Sequence, residues 1–186
     1  MPELIRVKAH EIRNALAELG RRLDAGEDSE LLVWVIPDKL ACAHRPLRHH
    51  PLFGGSRRDL PPEAAPAIFE WVKRMHSAGI RAIISLMHPK EVRHYAKLDL
   101  GADDLIDFYR KQGFEVEHLP WDDPAHRQPE GRAKFGDELV RIRDEALSAY
   151  DALPQPVVLH CSAGIDRSSP VAAHIFWERS RGRDDV

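Results

Sequence analysis

Cys161 and Arg167 stand with five residues between them in the run Val157-Val158-Leu159-His160-Cys161-Ser162-Ala163-Gly164-Ile165-Asp166-Arg167-Ser168-Ser169. A thiol attacks only as thiolate, and a ring of backbone N–H groups at a helix N-terminus lowers its pKa. The run fits that need. Val157 to His160 reads as a short buried strand and Ser162 to Arg167 as a tight loop in which Gly164 can take a positive φ. Ser168 onward reads as a helix with Pro170 in its first turn. The amides of Ser162, Ala163, Gly164, Ile165, Asp166 and Arg167, with the Arg167 fork, can hold the oxygens of a phosphate while Cys161 Sγ faces the phosphorus. The Ser168 hydroxyl can hydrogen-bond the sulfur and stabilise it as a leaving group. His160, under the loop, is expected to order it by hydrogen bonds rather than carry protons.

Such chemistry needs a scaffold, and alternating patterns supply one. Val7 to Leu23 sets Ile12, Ala15, Leu16, Leu19 and Leu23 on one helical face, ending near Ala25-Gly26. Leu31 to Ile36 reads as a strand, and Pro37 to Pro61 as a long loop rich in Arg, His, Pro and Gly. Pro62 to Ala78 reads as a helix closed by Gly79, Arg81 to Met87 as a buried strand, and Ala102 to Gln112 as a helix closed by Gly113. Phe114 to Leu119 alternates as a strand, and Gly131 to Leu153 has Phe135, Leu139, Ile142, Ala146, Leu147 and Tyr150 at helical spacing. Strands alternating with helices predict an α/β fold: a central, largely parallel sheet flanked by helices, with an N-terminal helical extension. Residues 1–30 are expected to be that extension and residues 31–186 the main domain.

His160 before the cysteine, Gly164 inside the loop and Ser168 after the arginine resemble the signature loop of the cysteine-dependent protein tyrosine phosphatase superfamily. Trp34-Val35-Ile36-Pro37-Asp38-Lys39-Leu40-Ala41 and Gly79-Ile80-Arg81-Ala82-Ile83-Ile84-Ser85-Leu86 are similar to steps of its small dual-specificity branch. The resemblance covers roughly Leu31 to Glu178. It implies a phosphotyrosine phosphatase-like fold and a hydrolase of phosphoprotein monoesters, on phosphotyrosine and also phosphoserine or phosphothreonine. It also implies a phosphocysteine intermediate, and neither metal nor organic cofactor.

The departing oxygen needs a proton donor. Family members often carry proline, two residues, then aspartate on an acid-bearing loop, which in Leu119-Pro120-Trp121-Asp122-Asp123-Pro124 selects Asp123, with Asp122 in reserve. Asp166 is the second candidate acid, because an aspartate before the signature arginine resembles myotubularin-like and some bacterial phosphatases. Inside an anion-binding loop such a carboxylate must be protonated or turn outward to a cation. Family domains also continue beyond the helix behind the loop, whereas this sequence stops at Asp184-Asp185-Val186. Either the domain is truncated at its C-terminus or the N-terminal helix covers that face.

Composition bounds the partners. A net charge of -3 gives no sign of bulk binding to nucleic acid or anionic membrane, no run reaches the length of a membrane span, and two cysteines make no disulfide framework. A cytoplasmic setting suits a catalytic thiolate. The expected partner is a phosphorylated protein or small phosphomonoester. His44, His49 and His50 lack a convincing metal-ligand spacing, and the basic segment Arg45 to Arg58 reads first as a solvated surface loop, second as a flank favouring acidic ligands. Cys42 reads as a small buried hydrophobe. Ala163 and Ile165 stand where inositol-lipid phosphatases often carry lysines. An inositol-phosphate or phosphoinositide phosphatase remains the alternative within the class, and a catalytically weak phospho-ligand-binding module or a rhodanese-type sulfur transferase the alternatives outside it.

Overall fold

Along each central strand, apolar side chains alternate between two destinations, and this alternation builds three layers. The computed structural model describes residues 3–123, 135–163 and 165–181. Its strands are β1 (Leu32–Ile36), β2 (Leu40–Ala43), β3 (Ala82–Ser85), β4 (Glu115–His118) and β5 (Val157–His160), in one sheet ordered β1-β2-β5-β3-β4. β1 pairs with β2 antiparallel; the β2–β5, β5–β3 and β3–β4 pairs are parallel. The helices are α1 (Glu3–Asp24), α2 (Ala65–Ser77), α3 (Pro89–Val92), α4 (Leu105–Lys111), α5 (Phe135–Ala152) and α6 (Ser168–Ser180). The chain therefore has a mixed α/β fold with a central sheet flanked by helices and an N-terminal helix.

Leu40, Cys42, Ala82, Ile84, Val157 and Leu159 meet α1, α5 and α6 on one face. Ala41, Ala43, Ile83 and Val158 meet α2 and α4 on the other. Burial on both faces is what a parallel sheet requires, and it explains the near-continuous apolar runs at 82–84 and 157–159. α1 contributes Ile5, Ile12, Leu16 and Leu19 to the same core as Val171 and Ile175 of α6, so the N-terminal helix is part of the packing.

Two expectations need correction. The long loop after Pro37 contains β2, fully buried and central; Leu40-Ala41-Cys42-Ala43 has no β-branched residue, so only its position in the sheet makes it a strand. It follows β1 through a tight turn in which Asp38 takes φ +56° and Lys39 N–H donates to the Ile36 carbonyl at 3.1 Å. The segment from His88 to Tyr95, left unassigned from sequence, holds α3 and a 3-10 turn.

Candidate active site

The carboxyl ends of parallel strands are where open α/β sheets gather their chemistry, because each strand there releases a loop toward one edge. Four such loops converge here, carrying His44 and Arg45 after β2, Leu86 and Glu91 after β3, Trp121 and Asp123 after β4, and Cys161 to Arg167 after β5. β5 lies at the centre of the order, so its loop touches all the others. The Leu86 N–H donates to the His160 carbonyl at 2.8 Å and the Arg45 N–H to the Ser162 carbonyl at 3.0 Å, fixing the loop's entry on both sides.

Cys161 is buried, and Arg167 is 1% exposed. The guanidinium makes a two-pronged pair with Glu91, Nη1 to Oε2 at 2.8 Å and Nη2 to Oε1 at 2.6 Å. Nη1 also donates to the Trp121 and Leu86 carbonyls at 2.7 and 3.3 Å. Asp123 Oδ2 lies 3.8 Å from Nη2. Burial opposes the charge on Arg167, but the Cys161 sulfur, Glu91 and Asp123 outweigh it and raise its pKa. Glu91 is likewise penalised by burial, yet the Arg167 bonds hold its carboxyl below the ordinary value.

Glu91 is the functional residue that sequence reading missed. It is third in α3, where its carboxylate accepts the His88 N–H at 2.8 Å while His88 Nδ1 accepts the Lys90 N–H at 3.3 Å, a reciprocal cap. The signal was present in His88-Pro89-Lys90-Glu91: proline at the first helical position and glutamate at the third mark a helix start. Nothing local says that the same carboxylate reaches Arg167.

His160 is fully buried, with Nδ1 3.0 Å from the Cys161 carbonyl and Nε2 3.3 Å from the Tyr109 hydroxyl. A carbonyl only accepts, so Nδ1 carries the proton and Nε2 accepts from the tyrosine. Burial lowers its pKa to about 4, leaving the ring neutral across the ordinary pH range.

The remaining site residues divide. Asp166 turns outward, 3.4 Å from Arg13 of α1 with both side chains exposed, so it does not sit with Arg167 and Asp123. Asp122 Oδ1 accepts the Asp123 N–H at 3.0 Å and so shapes the loop around Asp123. Ser168 is wholly buried and its hydroxyl makes no hydrogen bond among the described residues, so the expected bond to Cys161 Sγ is not formed. Ser162, Ala163 and Ile165 are half-buried in the loop; Gly164 lies outside the described residues.

The segment after β2 is only in part the solvated loop expected: residues 44–47 are buried, 48–50 and 53–55 half-buried, and 51–52 and 56–58 exposed. Arg45 donates from Nε to Ser162 Oγ at 3.2 Å, from Nη1 to the Tyr95 hydroxyl at 2.9 Å and from Nη2 to the Gly55 carbonyl at 2.9 Å. His44 spans from the Leu16 carbonyl of α1, 2.9 Å from Nε2, to the Ala163 carbonyl, 2.5 Å from Nδ1. Burial first, then His49, lowers its pKa to about 4 against the pull of both carbonyls; a neutral ring donates to one of them at a time. His49 Nδ1 lies 3.0 Å from Asp24, and His50 Nδ1 accepts the Leu52 and Phe53 N–H groups. Burial, then Cys161, pushes the Cys42 thiol pKa up, and no disulfide joins the two cysteines. No helix among the described residues is long and apolar enough to cross a membrane.

The arrangement joins a buried sulfur, an arginine oriented by a carboxylate, and an aspartate beside that arginine. These groups can hold an anion and move a proton next to a nucleophile. Compared with known proteins, the chain matches no family model, no curated sequence and no solved structure, so its function rests on this geometry.

Proposed function

We propose that the chain is a phosphomonoester hydrolase of the cysteine-dependent, protein tyrosine phosphatase-like kind, acting on phosphoprotein in a reducing compartment such as the cytoplasm. The observation that carries this reading is the convergence of Cys161, Arg167 and Asp123 at the carboxyl end of the central parallel strand, with Arg167 oriented by Glu91. A structural arginine needs only its carboxylate; one placed between a sulfur and a second carboxylate suits phosphoryl transfer.

In the first step Cys161 thiolate attacks phosphorus in line, the P–S bond forms, and the P–O bond breaks as Asp123 gives its proton to the leaving oxygen. A bound phosphoryl group takes guanidinium donors that the Trp121 carbonyl and Asp123 now share, while Glu91 keeps the fork oriented. In the second step Asp123 carboxylate takes a proton from water, the water oxygen attacks phosphorus, and the P–S bond returns its electrons to Cys161. The loop amides stabilise the equatorial oxygens in both steps. Ser168 acts here only if its unpartnered hydroxyl turns to the sulfur.

The test is turnover of p-nitrophenyl phosphate without added metal. Wild type should turn over and Cys161→Ser should fall to background; equal rates would end the proposal. Asp123→Asn should lose the limb of the pH–rate profile that reports the acid, whereas Asp166→Asn should keep it. A panel of phosphotyrosine peptide, phosphoserine peptide and phosphoinositide then fixes the substrate class.

A further inference from the structure

On the α2 side of the sheet, the end of α1, the segment after β2 and α2 enclose a cavity of about 590 Å³, within the size range of small-molecule sites. Its walls are mainly apolar, built from Leu23, Leu31, Leu47, Leu52, Pro66 and Trp71. Three guanidinium groups (Arg45, Arg48 and Arg74) face two carboxylates (Asp28 and Glu70), which leaves one positive charge in the lining.

That charge can be assigned. Arg74 donates to Asp28 and is neutralised by it. Arg45 spends its donors on Ser162, Tyr95 and Gly55. Arg48 differs: its main chain is pinned, N–H to the Arg45 carbonyl at 3.1 Å and carbonyl from the Gly55 N–H at 3.0 Å. Its guanidinium nevertheless makes no ion pair or hydrogen bond among the described residues, its Nε is buried without a partner, and the nearby Asp24 carboxylate, already bonded to His49, attracts it only at longer range. A half-buried cation left so is costly unless something else supplies the anion.

The backbone adds an independent sign. Leu47 holds φ +61°, a conformation that costs a bulky residue about 1–3 kcal/mol and persists where neighbours enforce it. The result is a fixed main chain that puts the Leu47 side chain in the apolar wall and Arg48 beside it. His49 does not compete for the role, since Nδ1 faces Asp24 and Nε2 lies against Gly20.

We infer that this cavity is a binding site for an amphiphilic organic monocarboxylate, its apolar body against Leu23, Leu31 and Trp71 and its carboxylate on Arg48. Arg45 keeps its charge but spends its donors on Ser162, Tyr95 and Gly55, so Arg48 is the guanidinium with donors to offer; one such fork matches a monocarboxylate, and the carboxylates of Asp28 and Glu70 disfavour a phosphate dianion. An apolar wall of this size has room for a medium-length alkyl chain or a pair of rings, at roughly 0.8 kcal/mol for each buried methylene. The cavity borders the Cys161 loop through His44 and Arg45, which contact Ala163 and Ser162, but Cys161 and Arg167 do not line it.

Isothermal titration calorimetry on the full chain tests it with decanoate, 1-decanol and inorganic phosphate as probes. Decanoate should bind at least about tenfold more tightly than decanol, the margin expected of a charge-assisted contact. Excess phosphate should not displace it. Arg48→Met should remove that margin and leave decanol binding unchanged, and Ala67→Phe, which fills the cavity, should weaken both alkyl ligands without lowering the melting temperature. Cys161→Ser should leave decanoate affinity intact. Equal affinity for decanoate and decanol, no heat with decanoate, insensitivity to Arg48→Met, or displacement by phosphate would each overturn the inference. None of these readings involves turnover, so an inactive protein that still binds decanoate counts only against the phosphatase reading.

Discussion

Arg45 and Arg167 follow parallel strands β2 and β5, which are neighbours in the sheet, and both are at most 2% exposed, yet they are held in opposite ways. Arg167 faces carboxylates: Glu91 through two hydrogen bonds and Asp123 at 3.8 Å. Arg45 faces only neutral oxygens, those of Ser162, Tyr95 and Gly55. No carboxylate bonds to it, Glu91 acting on it only at longer range, so it adds positive potential beside the 161–167 loop. Arg167 contributes orientation, while its net charge is largely cancelled before a ligand arrives. Under the proposed function, the loop would draw its field from a residue outside the motif and its geometry from the residue inside it.

Removing the carboxylate is the strongest way to break that contrast. Glu91→Gln removes the two charged hydrogen bonds that hold buried Arg167 and leaves only Asp123 at 3.8 Å and the Cys161 sulfur against its charge, and stability should fall by about 3 kcal/mol, read as a shift in urea midpoint. If the loss is under ~1 kcal/mol, Arg167 is not clamped as described. Acid should have the next largest effect. His160, neutral under Cys161 with a pKa of about 4 against an ordinary 6.5, takes up its proton more readily when unfolded. Its contribution is therefore complete above pH 6.5 and lost as pH falls toward 4, by about 3 kcal/mol. Glu91, also depressed, adds a further loss only below its unfolded value near 4.5. Buried His44, likewise lowered to about 4, adds to the same slope, so denaturant titrations from pH 7 to 4 should show both, and His160→Asn, which keeps a donor for the Cys161 carbonyl, should reduce the slope without abolishing it.

Arg45→Met should cost about 2 kcal/mol, since it strands a hydroxyl and a carbonyl away from water, and the loss should be similar at pH 7 and pH 5 because its partners are neutral. It should also weaken inorganic phosphate binding at the loop, whereas Arg45→Lys should recover part of that affinity. The smallest effect belongs to the exposed pair: Asp166→Asn or Arg13→Gln should change stability by no more than about 0.5 kcal/mol, measured by thermal melting. A larger change would mean that the α1 contact with the loop carries weight beyond its ion pair.

Asp166 and Asp123 show what the chain alone left open. Both were candidate acids, and spacing could rank but not separate them; which carboxylate points at Arg167 depends on the route of a different loop. The α/β alternation, the strand at 157–160 and the helix from Ser168 were legible, because apolar periodicity and helix-start chemistry act over a few residues. β2 was not, since its four residues lack strand propensity and owe their conformation to β1 and β5.

The sequence by itself determined the alternation of strands and helices and the placing of a cysteine, a tight loop and an arginine between a buried strand and a helix, all through local backbone preferences and side-chain periodicity. Only the tertiary structure decided that Glu91 orients Arg167, that Arg45 is buried against Ser162, that α1 packs into the core beside the loop and that Asp166 faces away. These pairings join residues tens of positions apart. Burial, which removes water as the competing partner, makes each of them decisive, and no local pattern encodes which distant oxygen will be within reach.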